Sequence, residues 1–127
     1  MITNPSGEVT IQMLAMPANT NANGDIFGGW LVSHMDLAAS VLAKRLAHGR
    51  TATVAINSVT FLKPVHVGDI VICYVKLVKQ GNTSMTIDVE VWKETFATQE
   101  KICVTTGTFV FVALDDNGHP RQVPKSA

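Results

Sequence analysis

A chain of 127 residues, 46% apolar and only 16% charged, has the size of one domain and is short of surface charge. Ten Lys and Arg balance ten Asp and Glu, so the formal net charge is zero and a nucleic-acid partner has no electrostatic support. No apolar run is long enough to span a membrane, and the N-terminal Met-Ile-Thr-Asn-Pro-Ser-Gly lacks the basic-then-apolar order of a signal peptide; a cytoplasmic location is expected.

The first predicted element is a strand from Glu8 to Met16, with Val9, Ile11 and Met13 on one face, ended by Pro17. A polar turn follows, with Asn21, Asn23, Gly24 and Asp25, and Asp25 reads as the N-cap of what comes next. That is a helix from about Ile26 to about His48, roughly 35 Å long. Gly49 is its expected stop, with Lys44, Arg45 and His48 where cations suit the dipole.

Beyond the helix the period changes to two. Thr53 to Lys63 is a strand whose change of phase between Ile56 and Val59 marks a bulge. Pro64 and Gly68-Asp69 punctuate. Ile70 to Val78 is a near-continuous apolar strand, buried on both faces or lying at an interface. Gln80-Gly81-Asn82-Thr83 is a turn. Ser84 to Trp92 alternates, with Met85, Ile87, Val89 and Val91 one way and Thr86, Asp88, Glu90 and Trp92 the other. Thr95 to Glu100 is a loop and Lys101 to Leu114 a long last strand. Asp115-Asp116-Asn117-Gly118 turns into a tail over 115–127 that trails off with Pro120 and Pro124. Strands joined by short turns are antiparallel. The predicted architecture is therefore α+β over 1–127, a sheet curled around one long central helix.

From Ile26 to Ala43 the only formal charge is Asp36. On a helical wheel Gly29, Ser33, Asp36 and Ser40 form a narrow stripe of small polar residues. Phe27, Trp30, Leu31, Met35, Leu37, Val41 and Leu42 cover the rest, so the helix is expected to be mostly wrapped in core. A lone carboxylate among apolar side chains needs partners or a task. His34 points into the apolar arc, away from Asp36, and a Ser-His-Asp relay is not supported. Cys73 and Cys103 sit in strand-like runs and read as reduced core thiols. The four histidines have no ligand spacing, and no structural metal is expected.

The run Asn-Ala-Asn-Gly-Asp-Ile-Phe-Gly-Gly-Trp-Leu leading to Met-Asp resembles the hot-dog-fold acyl-CoA thioesterases of the YciA type. So do Phe61-Leu62-Lys63-Pro64, Val67-Gly68-Asp69, the Gly81-to-Ser84 turn and the Phe-Val-Ala end of the last strand. The resemblance implies a five-stranded antiparallel sheet around a central helix, paired edge to edge in a homodimer, often further assembled into hexamers. It implies hydrolysis of acyl-CoA to a free acid and coenzyme A, with no cofactor beyond the coenzyme A of the substrate. The family's catalytic acid falls on Asp36, and its amide partner across the dimer interface on Asn21.

The chemistry fits these residues. Asp36 can act as general base or as nucleophile. Free N–H groups at the helix start, near Gly28 and Gly29, can receive the developing oxyanion. Ser40, one turn beyond Asp36, can reach the carboxylate or a water. Gly29 and Asp36 are about 10.5 Å apart along one helix, too far for one thioester carbon to meet both. A composite inter-subunit site is expected. For the phosphates and adenine of coenzyme A, Lys63, Arg50 and the turn Gly81-Asn82-Thr83-Ser84 offer cations, hydroxyls and backbone N–H groups. The competing readings are a hot-dog hydratase or dehydratase, which would pair a histidine with the acid, and a non-catalytic acyl-CoA sensor.

Overall fold

The computed structural model describes residues 4–125; the first three residues and the last two, which end the expected tail, lie outside the described residues. One strand, one long helix and four further strands follow in the predicted order: β1 (Glu8–Leu14), α1 (Gly28–Ala47), β2 (Thr51–Phe61), β3 (Ile70–Gln80), β4 (Ser84–Glu94) and β5 (Lys101–Ala113). A one-turn 3-10 helix, Pro17–Asn19, sits between β1 and the polar turn and was not expected. The strands form one antiparallel sheet in the order β1-β3-β4-β5-β2, with the helix packed on it. The sheet therefore ends on β1 at one side and β2 at the other, and nothing among the described residues pairs with the outer edge of β2.

The core lies between the helix and the inward face of β3, β4 and β5. Met85, Ile87, Val89 and Val91 alternate inward from β4, and Phe109 and Phe111 from β5. The expected bulge in β2 is present: the register with β5 slips between Asn57 and Thr60, and Ser58 takes φ +55. A second slip, between Thr53 and Ala55, was not read from the sequence. Gly107 on β5 leaves room for Met35, whose Cε would lie 3.1 Å from a Cβ there. Trp92, placed by alternation on the outward face, is 1% exposed; its indole donates to Glu90 Oε1 at 2.9 Å and meets Tyr74 edge to face.

Three expectations are corrected. The helix is not mostly wrapped in large apolar side chains. Its buried face is Trp30, Leu31 and Met35 followed by Ala38, Ala39, Ala43 and Ala47, whereas Leu37 is 55% exposed. Alanines let helix and sheet approach closely. The helix starts at Gly28 behind Phe27, with no side-chain cap, so Asp25 is not the N-cap. At its other end His48, not Gly49, takes the left-handed conformation, with φ 54, which histidine tolerates better than most residues.

The tail does not trail off. Val123 is buried, and its N–H donates to Asn82 O at 2.8 Å. Arg121 caps the helix: Nη2 donates to Ala47 O at 2.6 Å and Nε to Leu114 O at 2.9 Å. No helix among the described residues is long and apolar enough to cross a membrane.

Candidate active site

The helix start forms one wall of a cleft of about 370 Å³. Asn21, Asp25 and Gly28 line it on one side, and Phe61, Lys63 and Pro64 on the other. A Cβ on Gly28 would come within 2.9 Å of the Phe61 ring tip, so a larger residue there would push that exposed ring aside. The amides of Gly28 and Gly29 find no acceptor among the described residues, as expected of a first helical turn without a cap. Gly29 lies against the Phe27 ring and does not line the cleft.

Asn21 is held by its own turn. Its Oδ1 accepts from Asn23 N–H at 2.9 Å and Asp25 N–H at 3.2 Å, while its N–H donates to Asp25 O at 2.7 Å. With the oxygen committed to two donors, the Nδ2 amide is the end left to meet a ligand. Asp25 pairs with His66, whose Nδ1 lies 3.0 Å from Oδ1.

The opposite wall is braced from within. Lys93, nine-tenths buried, donates to Pro64 O at 2.8 Å and lies 3.8 Å from Asp69 Oδ2. That same oxygen accepts His66 N–H at 2.9 Å. Ile26 N–H donates to Val65 O at 2.9 Å, which joins the wall to the turn.

Asp36 lies elsewhere, half-buried in the middle of the helix and outside the cleft. Thr53 Oγ1 on β2 donates to its Oδ1 at 2.7 Å. Oδ2 accepts no hydrogen bond among the described residues. Thr53 and Ile56 pair with the buried Phe111 and Phe109, so both look inward from β2. Ile56 is nevertheless 45% exposed, and Leu37 on the helix and Val54 on β2 are exposed too, so apolar surface stands uncovered on the two elements that hold the carboxylate.

Ser40 does not reach the carboxylate; its Oγ donates to the Asp36 backbone carbonyl at 2.8 Å. His34 is bound to Trp30, with Nδ1 2.8 Å from Trp30 O and the rings 4.2 Å apart. No histidine among the described residues contacts Asp36, so the pairing a hydratase would use is not built here.

The residues expected to meet coenzyme A fall into two groups. Lys63 is in the cleft at the helix start. Arg50 and the turn Gly81 to Ser84 are at the helix end: Leu114 N–H donates to Arg50 O at 2.9 Å and Ala113 N–H to Thr83 O at 3.0 Å. About 30 Å of helix separates the groups within one chain. Thr53 and His66 were missed, since both are joined to the site only through strand and loop register.

The two cysteines take no part. Burial pushes the Cys73 thiol up to about 12, and burial together with the nearby Glu90 charge takes Cys103 to about 11, so both stay protonated and unreactive.

Comparison with known proteins completes the picture. Residues 23–98 match the model of the Thioesterase superfamily. The chain is 50% identical over 123 residues to the acyl-CoA thioester hydrolase YciA of Salmonella typhimurium, covering 94% of this chain and 92% of that one. The crystal structure of HI0827, described as a hexameric broad specificity acyl-coenzyme A thioesterase, superposes with a TM-score of 0.91 at 48% identity, over 98% of this chain and 86% of its own. An acyl-CoA hydrolase from Staphylococcus aureus, solved with coenzyme A as an Asn-to-Ala variant, gives 0.86 at 30% identity, over 90% and 68%. The hydratase and sensor readings give way to this agreement: the chain belongs to the YciA-type acyl-CoA thioester hydrolases, built on the hot-dog fold.

Proposed function

We propose that this hydrolysis takes place in a composite site, where Asp36 of one copy faces the cleft at the helix start of another. The observation that carries the reading is a separation. Asn21 and Gly28 line the cleft and Asp36 does not, and seven residues of helix put about 10.5 Å between Gly29 and the acid. A second copy paired along the free edge of β2 would cover Leu37, Val54 and Ile56 and bring the two halves together. The Staphylococcus aureus hydrolase supports the pairing of roles. The Asn and the Asp replaced by Ala in its two variants stand fifteen positions apart, the separation of Asn21 and Asp36.

In this site the thioester oxygen meets the Gly28 N–H and the Asn21 Nδ2 amide. Asp36 either takes a proton from an attacking water or attacks the carbonyl carbon itself, expelling the thiolate and forming a mixed anhydride that water then opens to the free acid and Asp36. In the first route a C–O bond forms, negative charge gathers on the carbonyl oxygen, and its collapse breaks the C–S bond. The sulfur leaves as the coenzyme A thiolate and is protonated. Both routes need an ionised Asp36 and donors fixed in advance. Thr53 holds one carboxylate oxygen and leaves the other to react.

Lys63 meets the coenzyme A phosphates from the cleft, and Arg50 and the Gly81-to-Ser84 turn come from a neighbouring copy. We extend to this chain the hexameric assembly and broad acyl range ascribed to HI0827. We also read 1–127 as one hot-dog domain and place it in the cytoplasm, in keeping with its two reduced thiols.

Thiol release from acyl-CoA by the wild type and an Asp36→Asn variant tests the reading. The variant keeps the shape and the Thr53 contact but loses the charge, and activity falls by at least about 100-fold. Equal rates would remove Asp36 from the mechanism.

A further inference from the structure

We infer that His66 is a positioning residue for the hydrolysis, acting through Asp25 on the Asn21 turn; this rests on the role of Asn21 given above. His66 leaves the loop after β2 and places Nδ1 3.0 Å from Asp25 Oδ1. Asp25 N–H is one of the two donors that fix Asn21 Oδ1. The Asn21 backbone N–H returns to Asp25 O at 2.7 Å. Asn21 and Asp25 thus hold each other at two points, and the side-chain tie to the opposite wall is His66. His66 is itself anchored: its N–H is bound to Asp69 Oδ2, beside the buried Lys93.

An amide that stabilises a transition state must be held to within a fraction of an ångström. A polar turn rich in Asn and Gly cannot hold it alone. Of the turn, Asn21 to Gly24 are exposed and Asp25 half-buried, with no buried side chain to anchor them. The His66–Asp25 contact adds a side-chain restraint to the backbone bond that joins Ile26 to Val65.

The pair is half open to water, with side chains 55% and 38% exposed. Such a contact contributes little to global stability. That makes its purpose separable from a structural one. Removing it should leave the fold and change the placement of one amide. The interaction made by Asn21 Nδ2 strengthens as charge grows on the thioester oxygen, so its loss appears in kcat more than in KM.

The experiment is a double-mutant cycle on the full chain with one acyl-CoA, reading kcat, KM and Tm for His66→Ala, Asn21→Ala and the double variant. We expect His66→Ala to lower kcat roughly 5- to 10-fold with KM nearly unchanged, and Tm to stay within about 2 °C. His66→Gln, which keeps a donor for Asp25, recovers most of the loss. In the Asn21→Ala background His66→Ala costs nothing more. The inference is overturned if Asn21→Ala lowers kcat while His66→Ala does not, or if the two losses multiply. A normal kcat in Asn21→Ala would sink the role of Asn21 itself, and His66 with it.

Discussion

Thr53 donates to one oxygen of Asp36 at 2.7 Å, and a carboxylate held from one side presents its other oxygen in a fixed direction. A hydrogen bond to an ionised group contributes about 1.5–3 kcal/mol. Here that energy goes into orientation, because the acid is only half-buried. Thr53→Val keeps the volume and removes the donor. It should lower kcat about tenfold with little change in KM, while Thr53→Ser, which restores the hydroxyl, keeps most of the rate. Steady-state kinetics on the two variants measures this; equal rates in Thr53→Val and wild type would leave Asp36 oriented by something else. At this scale the sequence singles out residues whose chemistry stands out against their surroundings. Asp36 is the one charge between Ile26 and Ala43, Asn21 stands in the polar turn, and Gly28 opens the helix behind it. Ser40 was misjudged because a serine one turn from a carboxylate can also bond the intervening backbone carbonyl, and does. Thr53 and His66 carried no signal, since their partners are set by strand register and loop path, which a linear pattern does not contain.

Among the elements, the five strands were legible because period-two alternation and Gly or Pro punctuation agree at nearly every boundary. The β2 bulge was legible for the same reason, as a slip of phase. The helix existed in the sequence but its orientation did not. A wheel weighted by side-chain size turns Leu37 inward, yet the sheet packs on Ala38, Ala39, Ala43 and Ala47. Small residues gain less by burial but allow closer approach, and the large exposed ones are left for another surface. The end of the chain was read as loose because two prolines and polar residues look like a tail. One arginine changes that. Arg121 satisfies the carbonyls of Ala47 and Leu114, where a cation also suits the helix dipole. Arg121→Ala should cost about 1 kcal/mol and lower Tm by roughly 4 °C, with kcat for the folded protein unchanged, because Arg121 bonds the carbonyls of Ala47 and Leu114 and none of Asn21, Gly28 and Asp36. Arg121→Lys restores part of the loss. Thermal unfolding beside thiol release separates the two effects, and a drop in kcat at constant Tm would contradict a purely structural cap.

On the scale of the whole molecule, the proposed site draws on two places in each chain that the chain itself does not join. The cleft holds the donors, and its one carboxylate, Asp25, is tied to His66; Asp36 lies outside it, bound to Thr53 on the edge strand β2. Symmetric pairing resolves both at once, since a twofold axis that covers one edge also covers its equivalent and generates two identical sites. This geometry permits a test that no arrangement within one chain can pass. Asn21→Ala and Asp36→Asn are each expected to be nearly inactive as pure proteins. Mixed and allowed to exchange subunits, half of the dimers contain one chain of each kind. In these, one site combines both lesions and the other has neither. Activity should therefore return to about a quarter of the wild-type rate per chain. Differently tagged chains show that exchange has happened. If mixed dimers form and thiol release stays at the level of the separate variants, Asn21 and Asp36 do not serve one site from two chains. Should either pure variant prove active, the residue it lacks is not needed. Recovery that follows the fraction of mixed dimers, and disappears when that fraction is diluted away, would place Asn21 and Asp36 on opposite chains of one site.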